Sequence, residues 1–351
     1  MRYNIMHRLW LLPLGLLIFC SCTNTGTLLP NITGSAYELL VVIDQKEWKA
    51  PGGHAIFKML DCSVPMLPQS EPMFKISRVS HSEFDQMLHP ARNILMVLVD
   101  SMRYTRTAVH YYNSRWAKEQ ALGIITTPCT DSLAAFVPRY AKQITEYFVN
   151  AERKRQIAYY KANRNGKIRN MIRQQFGIDV VVPISLNKYK QDTNFLWISN
   201  GSYDVRQDLV IYSVPYVDTA QWNYTRLVAC RDSVMKANLP GSISGSYMGT
   251  EHVVLPPERT VINRNGSYCV EMRGLWKMIN GDIMGGPYVS HTRLDEVHNR
   301  LVTVEGFVFA PGHEKRNYMR QLESVVYSVQ MPQEVNAVVV MQKRKDTTAR
   351  R

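Results

Sequence analysis

The chain lacks every compact signature of catalysis or cofactor binding that can be read from spacing alone. No CxxC pair occurs, which excludes a zinc ribbon and a thioredoxin-type centre. The most glycine-rich segment, Gly241 to Gly249 (GSISGSYMG), fits neither GxxxxGK[ST] nor GxGxxG. It follows a helical pattern rather than a strand, so a phosphate cradle at a helix N-terminus is not supported. No GxSxG nucleophile elbow is present. Negative charge is scarce: 29 acidic residues stand against 42 lysines and arginines, a net charge of +13. Beyond the N-terminus no apolar run approaches the roughly 20 residues that span a bilayer. What remains is a globular chain of 351 residues, 45% hydrophobic and 20% charged, with enough apolar material for a core.

The N-terminus carries the clearest information. Arg2 and Arg8 precede an apolar run from Leu9 to Phe19 that is too short to cross a membrane. This is the pattern of a secretory signal peptide, assigned to residues 1–21 and set aside from the fold. Ser21-Cys22 at its end resembles the lipobox of bacterial lipoproteins, although Phe19 replaces the usual leucine. In that class the cysteine is diacylated and becomes the new N-terminus, so the resemblance implies lipidation at Cys22. Residues 22–34 then form a tether. No acidic cluster follows Cys22, which points to the periplasmic face of the outer membrane.

Export changes what the basic charge implies. A cytosolic chain this basic suggests nucleic acid. Behind a signal peptide nucleic acid is not expected, and the partners become the membrane itself through the lipid, an envelope protein, or an anionic lipid or glycan. The cysteines after the leader are Cys62, Cys129, Cys230 and Cys269; three disulfide pairings are open, and free thiols fit equally.

Hydrophobic patterning predicts an α+β fold: mixed, largely antiparallel sheets backed by helices. An N-terminal α/β region spans 35–176, with strands at 38–44, 74–79, 93–99, 106–111 and 121–126. Short helices are expected at 54–60 and 82–88. A long helical signal over 131–176 is divided at Asn165-Gly166, and its second half is strongly basic. A C-terminal α+β region spans 177–342, with strands at 180–186, 195–200, 209–214, 243–248, 260–263, 268–273 and 301–309. Helices are expected at 219–238 and 314–329, and a last strand at 334–341. Residues 343–351 form a basic tail expected to be disordered. ELLVVID…Trp48 followed by a helix echoes DLVIYSV…Trp222 followed by a helix, which raises two related halves.

LPQSEPMF, RNILMV, RDSVMKANLPGSISGSYMGTE, RGLW…MGGPYVS and EGFVFAPGHEKRNYMRQLES together resemble an uncharacterised lipoprotein family of the Bacteroidetes, catalogued as a domain of unknown function. The resemblance implies an envelope lipoprotein and brings no activity or catalytic residues with it. It supports the lipobox reading at Cys22.

Candidate chemistry is sparse. His291, Asp295 and His298 could share one helical face and suit zinc or iron. Arg293, Arg300 and the upstream Pro287 weigh against a dication, so no metal and no cofactor are expected. The Asp-Ser/Thr-apolar segments starting at Asp100, Asp131, Asp218, Asp232 and Asp346 resemble O-glycosylation acceptor sites, with helix capping as the competing explanation. The densest mixture of glycine and large apolar residues is Glu271 to Ser290. If a pocket forms there, Arg273, Trp276, Asp282 and Tyr288 are its candidate lining. The favoured function is a non-enzymatic binding or structural module. The alternative is a glycan hydrolase working through carboxylates such as Glu251, Glu271 and Asp282.

Overall fold

The computed structural model describes residues 28–335; the leader, Cys22 with the tether up to residue 27, and the basic tail lie outside them. Among the described residues no helix is long and apolar enough to cross a membrane. Two sheets organise the chain, and the fold is the mixed α+β one that the patterning predicts.

The first sheet orders its strands β2-β1-β3-β5-β4, from β1 (Glu38–Val42), β2 (Lys75–Val79), β3 (Asn93–Val99), β4 (Ala108–Asn113) and β5 (Ala121–Thr127). Its first four strands pair in parallel and β4 joins antiparallel. Parallel strands need crossovers and burial on both faces, which is why β1, β3 and β5 read as unbroken apolar runs. One face packs on α2 (Pro51–Leu60) and α3 (Thr130–Ala162) through Ile56, Leu60, Leu133, Ile144 and Phe148. The short α1 (Gln45–Trp48) precedes them. Pro51 occupies the first turn of α2, so the helix expected at 54–60 begins three residues earlier, with the Pro-Gly-Gly stretch inside it. The expected helix at 82–88 is a series of turns, held by Asp85 and Glu83 accepting backbone N–H groups.

The second sheet is antiparallel throughout and runs β10-β11-β12-β13-β8-β7-β6, with β9 on the free end of β11. Its strands are β6 (Lys188–Asp192), β7 (Phe195–Ser199), β8 (Arg206–Pro215), β9 (Tyr247–Thr250), β10 (Glu258–Arg264), β11 (Ser267–Ile279), β12 (Gly285–Asp295) and β13 (Arg300–Phe309). Helices cover both faces. Against one lie α4 (Gly166–Phe176) and α6 (Arg316–Tyr327), meeting Leu209, Ile211, Val302 and Val304. Against the other lies α5 (Tyr224–Asn238), meeting Val210, Tyr212, Met272 and Phe307. Period-two alternation therefore divides each strand between two cores.

Several expectations change. The helical signal does divide at Asn165, whose side chain caps α4, and α4 packs in the core of the second sheet, which Val64, Leu67 and Tyr160 of the first region also enter. Residues 180–186 are not a strand: Val180, Val182 and Leu186 are buried in an irregular segment that Pro183 interrupts. The helix expected from 219 is a 3-10 turn (Thr219–Trp222), capped by Asp218, followed by α5. Residues 332–335 are helical, which contradicts the start of a last strand there. The two halves share a strand–Trp–helix order, yet their sheets pair differently.

Glu271 to Ser290, where glycine and large apolar residues mix most densely, forms the middle of a long hairpin, β11 and β12, paired from Cys269↔Arg293 to Lys277↔Gly285. Its glycines serve close approach. A Cβ on Gly274 would sit 2.8 Å from the ring of Tyr288, its cross-strand partner. One on Gly286 would sit 2.0 Å from the Val308 carbonyl oxygen.

Helix α6 joins the two sheets' domains. Its N-terminus is capped from the first domain: buried Glu71 accepts the backbone N–H groups of Lys315 (2.7 Å) and Arg316 (2.8 Å). Midway, buried Glu323 meets Arg153 of α3 together with Arg273 (3.2 Å) and Arg320 (2.9 Å). At its end the Tyr327 ring lies 3.5 Å from the Arg153 guanidinium. The polar face of this amphipathic helix is therefore an interdomain ionic seam and not a solvated surface.

Candidate functional site

Strand alternation decides which candidate residues meet. Arg273 and Trp276 are an odd number apart on β11, so they point to opposite faces. Arg273 lies in the ionic seam, where its Nε donates to Glu271 at 2.7 Å. Trp276 enters the α5 face with its Nε1 donating to Val308 O at 3.1 Å. Tyr288 shares that face but is buried beneath Arg231, whose guanidinium lies 4.0 Å from its ring.

Trp276 forms part of a cavity of about 330 Å³ between the second sheet and the end of α5, a size suited to a small ligand. Trp197 of β7, Phe307, Leu239 and three methionines, Met248, Met278 and Met284, supply apolar wall. Methionine adapts to ligands of differing shape. Lys190, Arg206 and Asp282 add charge to the lining. Asp282 accepts from Ser242 at 2.5 Å, joining two loops at the cavity. Buried Asp208 accepts from Trp197 Nε1 at 2.9 Å and from Arg206 Nε at 3.1 Å, fixing the indole and the guanidinium together. Burial raises the Asp208 carboxyl, against the lowering effect of Arg206. Of the four expected pocket residues, Trp276 and Asp282 line this cavity; Arg273 and Tyr288 do not.

The carboxylates of the hydrolase reading fall in three places. Asp282 lines the cavity. Glu251 accepts the N–H groups of Val253 and Val254 and pairs with Lys277, which together hold its carboxyl at about 2. Glu271 lies on the opposite sheet face, accepting from Arg273, from Tyr327 Oη (2.8 Å) and from His291 Nε2 (3.0 Å). Burial opposes its ionisation, but Arg273 and His291 outweigh that and lower it; burial in turn lowers the His291 imidazole. Glu271 is thus the acceptor and His291 the donor.

His291, Asp295 and His298 are not on a helix. His291 is on β12 against Glu271, while Asp295 accepts from His298 Nδ1 (2.7 Å) and Arg300 Nε (2.9 Å) at the following turn. Cys62, Cys129, Cys230 and Cys269 are all free. Of the Asp-Ser/Thr segments, Asp218 caps the 3-10 turn and Asp232 accepts from Thr250, while Thr347 lies outside the described residues.

The residues missed in the sequence had a partial signal. Phe195 and Trp197 share a face of a short strand, which is enough to place an indole on a core side. The meeting of β7 with the loop 238–242 is a tertiary fact that no local pattern carries.

Comparison with known proteins bears on this arrangement. Residues 32–161 match the family model described as Domain of unknown function (DUF8532), and residues 165–328 match Domain of unknown function (DUF4837). The chain is built from two uncharacterised domains. The first match spans the parallel sheet with α3, and the second spans α4 to the end of α6, so the seam along α6 lies between two families rather than within one. No curated protein matches the chain. Among solved structures it is similar to the Ran-binding protein Mog1p of Saccharomyces cerevisiae, at 10% identity over 44% of this chain and 90% of that one, with a TM-score of 0.29. It is also similar to cyanobacterial PsbP (CyanoP) of Synechocystis sp. PCC 6803, at 12% identity over 43% and 95%, with a TM-score of 0.23.

Proposed function

We propose that the protein is a periplasm-facing envelope lipoprotein of the Bacteroidetes type, anchored through Cys22, that binds a small anionic amphiphile without turning it over. The observation that carries the binding reading is the cavity at Trp276. Its apolar wall of two indoles, a phenyl ring and three methionines supports an aliphatic or aromatic body, and Lys190 and Arg206 support an acidic end group. The cavity's single lining carboxylate, Asp282, is bonded to Ser242, and neither Glu251 nor Glu271 joins it. A carboxylate pair for glycoside cleavage is therefore not assembled there.

Anchoring rests on the Ser21-Cys22 resemblance and the preceding leader. Native mass spectrometry of the chain extracted from its own envelope tests both parts. The account expects a diacylated N-terminus at Cys22 and a retained molecule of a few hundred daltons that is absent from a Ser242→Trp variant. Unchanged membrane fractionation of Cys22→Ala would refute the anchor, and the same small molecule on Ser242→Trp would refute the pocket.

A further inference from the structure

A second cavity, of about 720 Å³, opens at the junction of the two domains. Its wall is drawn from the end of α3, the start of α4, the segment after it, the β10–β11 turn and the end of α6. Lys161, Arg164, Arg169 and Arg264 line it, against one carboxylate, Asp179. That carboxylate is already engaged: Arg169 holds it through Nε at 2.6 Å and Nη2 at 2.5 Å. The neighbouring Arg153 and Arg293 are engaged too, with Glu323 and Glu334. Lys161, Arg164 and Arg264 make no ion pair among the described residues.

Arg264 is the informative member. It is partly buried, its guanidinium lies 4.7 Å from the Tyr327 ring, and Nη2 donates to the Tyr327 carbonyl at 2.5 Å. Burial, together with the nearby charges of Arg153 and Arg293, lowers its affinity for its proton. A guanidinium held among other cations without a carboxylate is costly unless an anion reaches it. Lys161 and Arg164, both exposed at the rim, add two further donors to the same opening.

The geometry points to a binding site for a phosphate monoester in this cavity, with Arg264 at its wall and Lys161 and Arg164 at its rim. A tetrahedral dianion presents the three acceptor oxygens that these separate donors require, and guanidinium groups bind it by paired hydrogen bonds. The group arrives either free or as the head of a lipid. This site is independent of the Trp276 cavity, which lies on the other face of the second sheet.

The test uses the full-length chain, titrated calorimetrically with inorganic phosphate in detergent and, after reconstitution, with nanodiscs of phosphatidylcholine with or without phosphatidic acid. The account expects saturable binding of at least one probe, weakened tenfold or more in Lys161→Ala/Arg164→Ala. It expects no change in Arg139→Ala, which removes an exposed charge from the far part of α3. Binding of phosphate alone identifies a free ligand, and binding confined to phosphatidic acid identifies a lipid head group. Saturable binding of neither probe, or equal loss in Arg139→Ala, overturns the proposal. Far-UV spectra of the rim variant and of Arg139→Ala check that both fold.

Discussion

Replacing Glu323 by alanine is the sharpest perturbation of the seam between the domains. The carboxylate is 2% exposed and is shared by Arg153, Arg273 and Arg320. Burial alone would raise its carboxyl, yet these three guanidiniums hold it well below the usual range. Removing it leaves three arginines, all little exposed, with their common counter-charge gone. Breaking a buried pair in this way costs about 3–5 kcal/mol, because the surviving charge is stranded. At about 2–4 °C per kcal/mol for domains of this size, the melting temperature should fall by about 6–20 °C. Urea unfolding measures the free energy directly. A double-mutant cycle with Arg153→Met separates the interdomain part, which should show a coupling of about 0.5–3 kcal/mol. A loss below about 1 kcal/mol, or zero coupling to Arg153, would refute the view that α6 is held to α3 by this cluster.

Three further outcomes follow from the same packing. Glu71→Ala strands the N–H groups of Lys315 and Arg316 and should cost about 1–2 kcal/mol, with faster amide exchange confined to the start of α6; unchanged exchange there would contradict the cap. Gly286→Ala places a methyl group against the Val308 carbonyl and should destabilise by about 1–3 kcal/mol or more, whereas Gly166→Ala, with nothing within 4 Å, should be neutral or stabilising in the same melting assay. Acid should loosen the seam: Glu323 is lowered in the folded chain, so its contribution is complete above the unfolded value near about 4.3 and is lost as pH falls below it. Melting temperature should thus drop on going from pH 6 to pH 3, and the drop should be smaller in Glu323→Gln; an identical slope in that variant would remove the cluster as its cause.

The fold was legible where burial leaves a local trace. The apolar runs of β1, β3 and β13, the Asn265-Gly266 hairpin and the Asn165 break are read from neighbours in sequence. The errors share a cause. Gly274 and Gly286 look like turn residues until the strands are paired; then they are the positions where Tyr288 and the Val308 carbonyl need room. Lys188–Asp192 is fully exposed and polar, so β6 has no apolar signature at all. Val180 to Leu186 has one but spends its burial on an irregular segment. At the candidate site, the composition of Glu271 to Ser290 singled out Trp276 and Asp282. It could not divide them from Arg273, because that depends on strand phase. The burial of Glu323 and Arg316 in α6 gave no warning, since Arg153 and the Pro72 carbonyl that meet them lie 170 and 244 residues away.

The claim that the Trp276 cavity binds an anionic amphiphile is tested most directly by titrating the folded chain with anilinonaphthalene sulfonate. The account predicts one saturable site with quenched tryptophan emission. It predicts weaker binding in Lys190→Glu and none in Ser242→Trp, whose melting temperature should match the wild type. Undiminished binding in Ser242→Trp, or no saturable binding to the wild type, would contradict it.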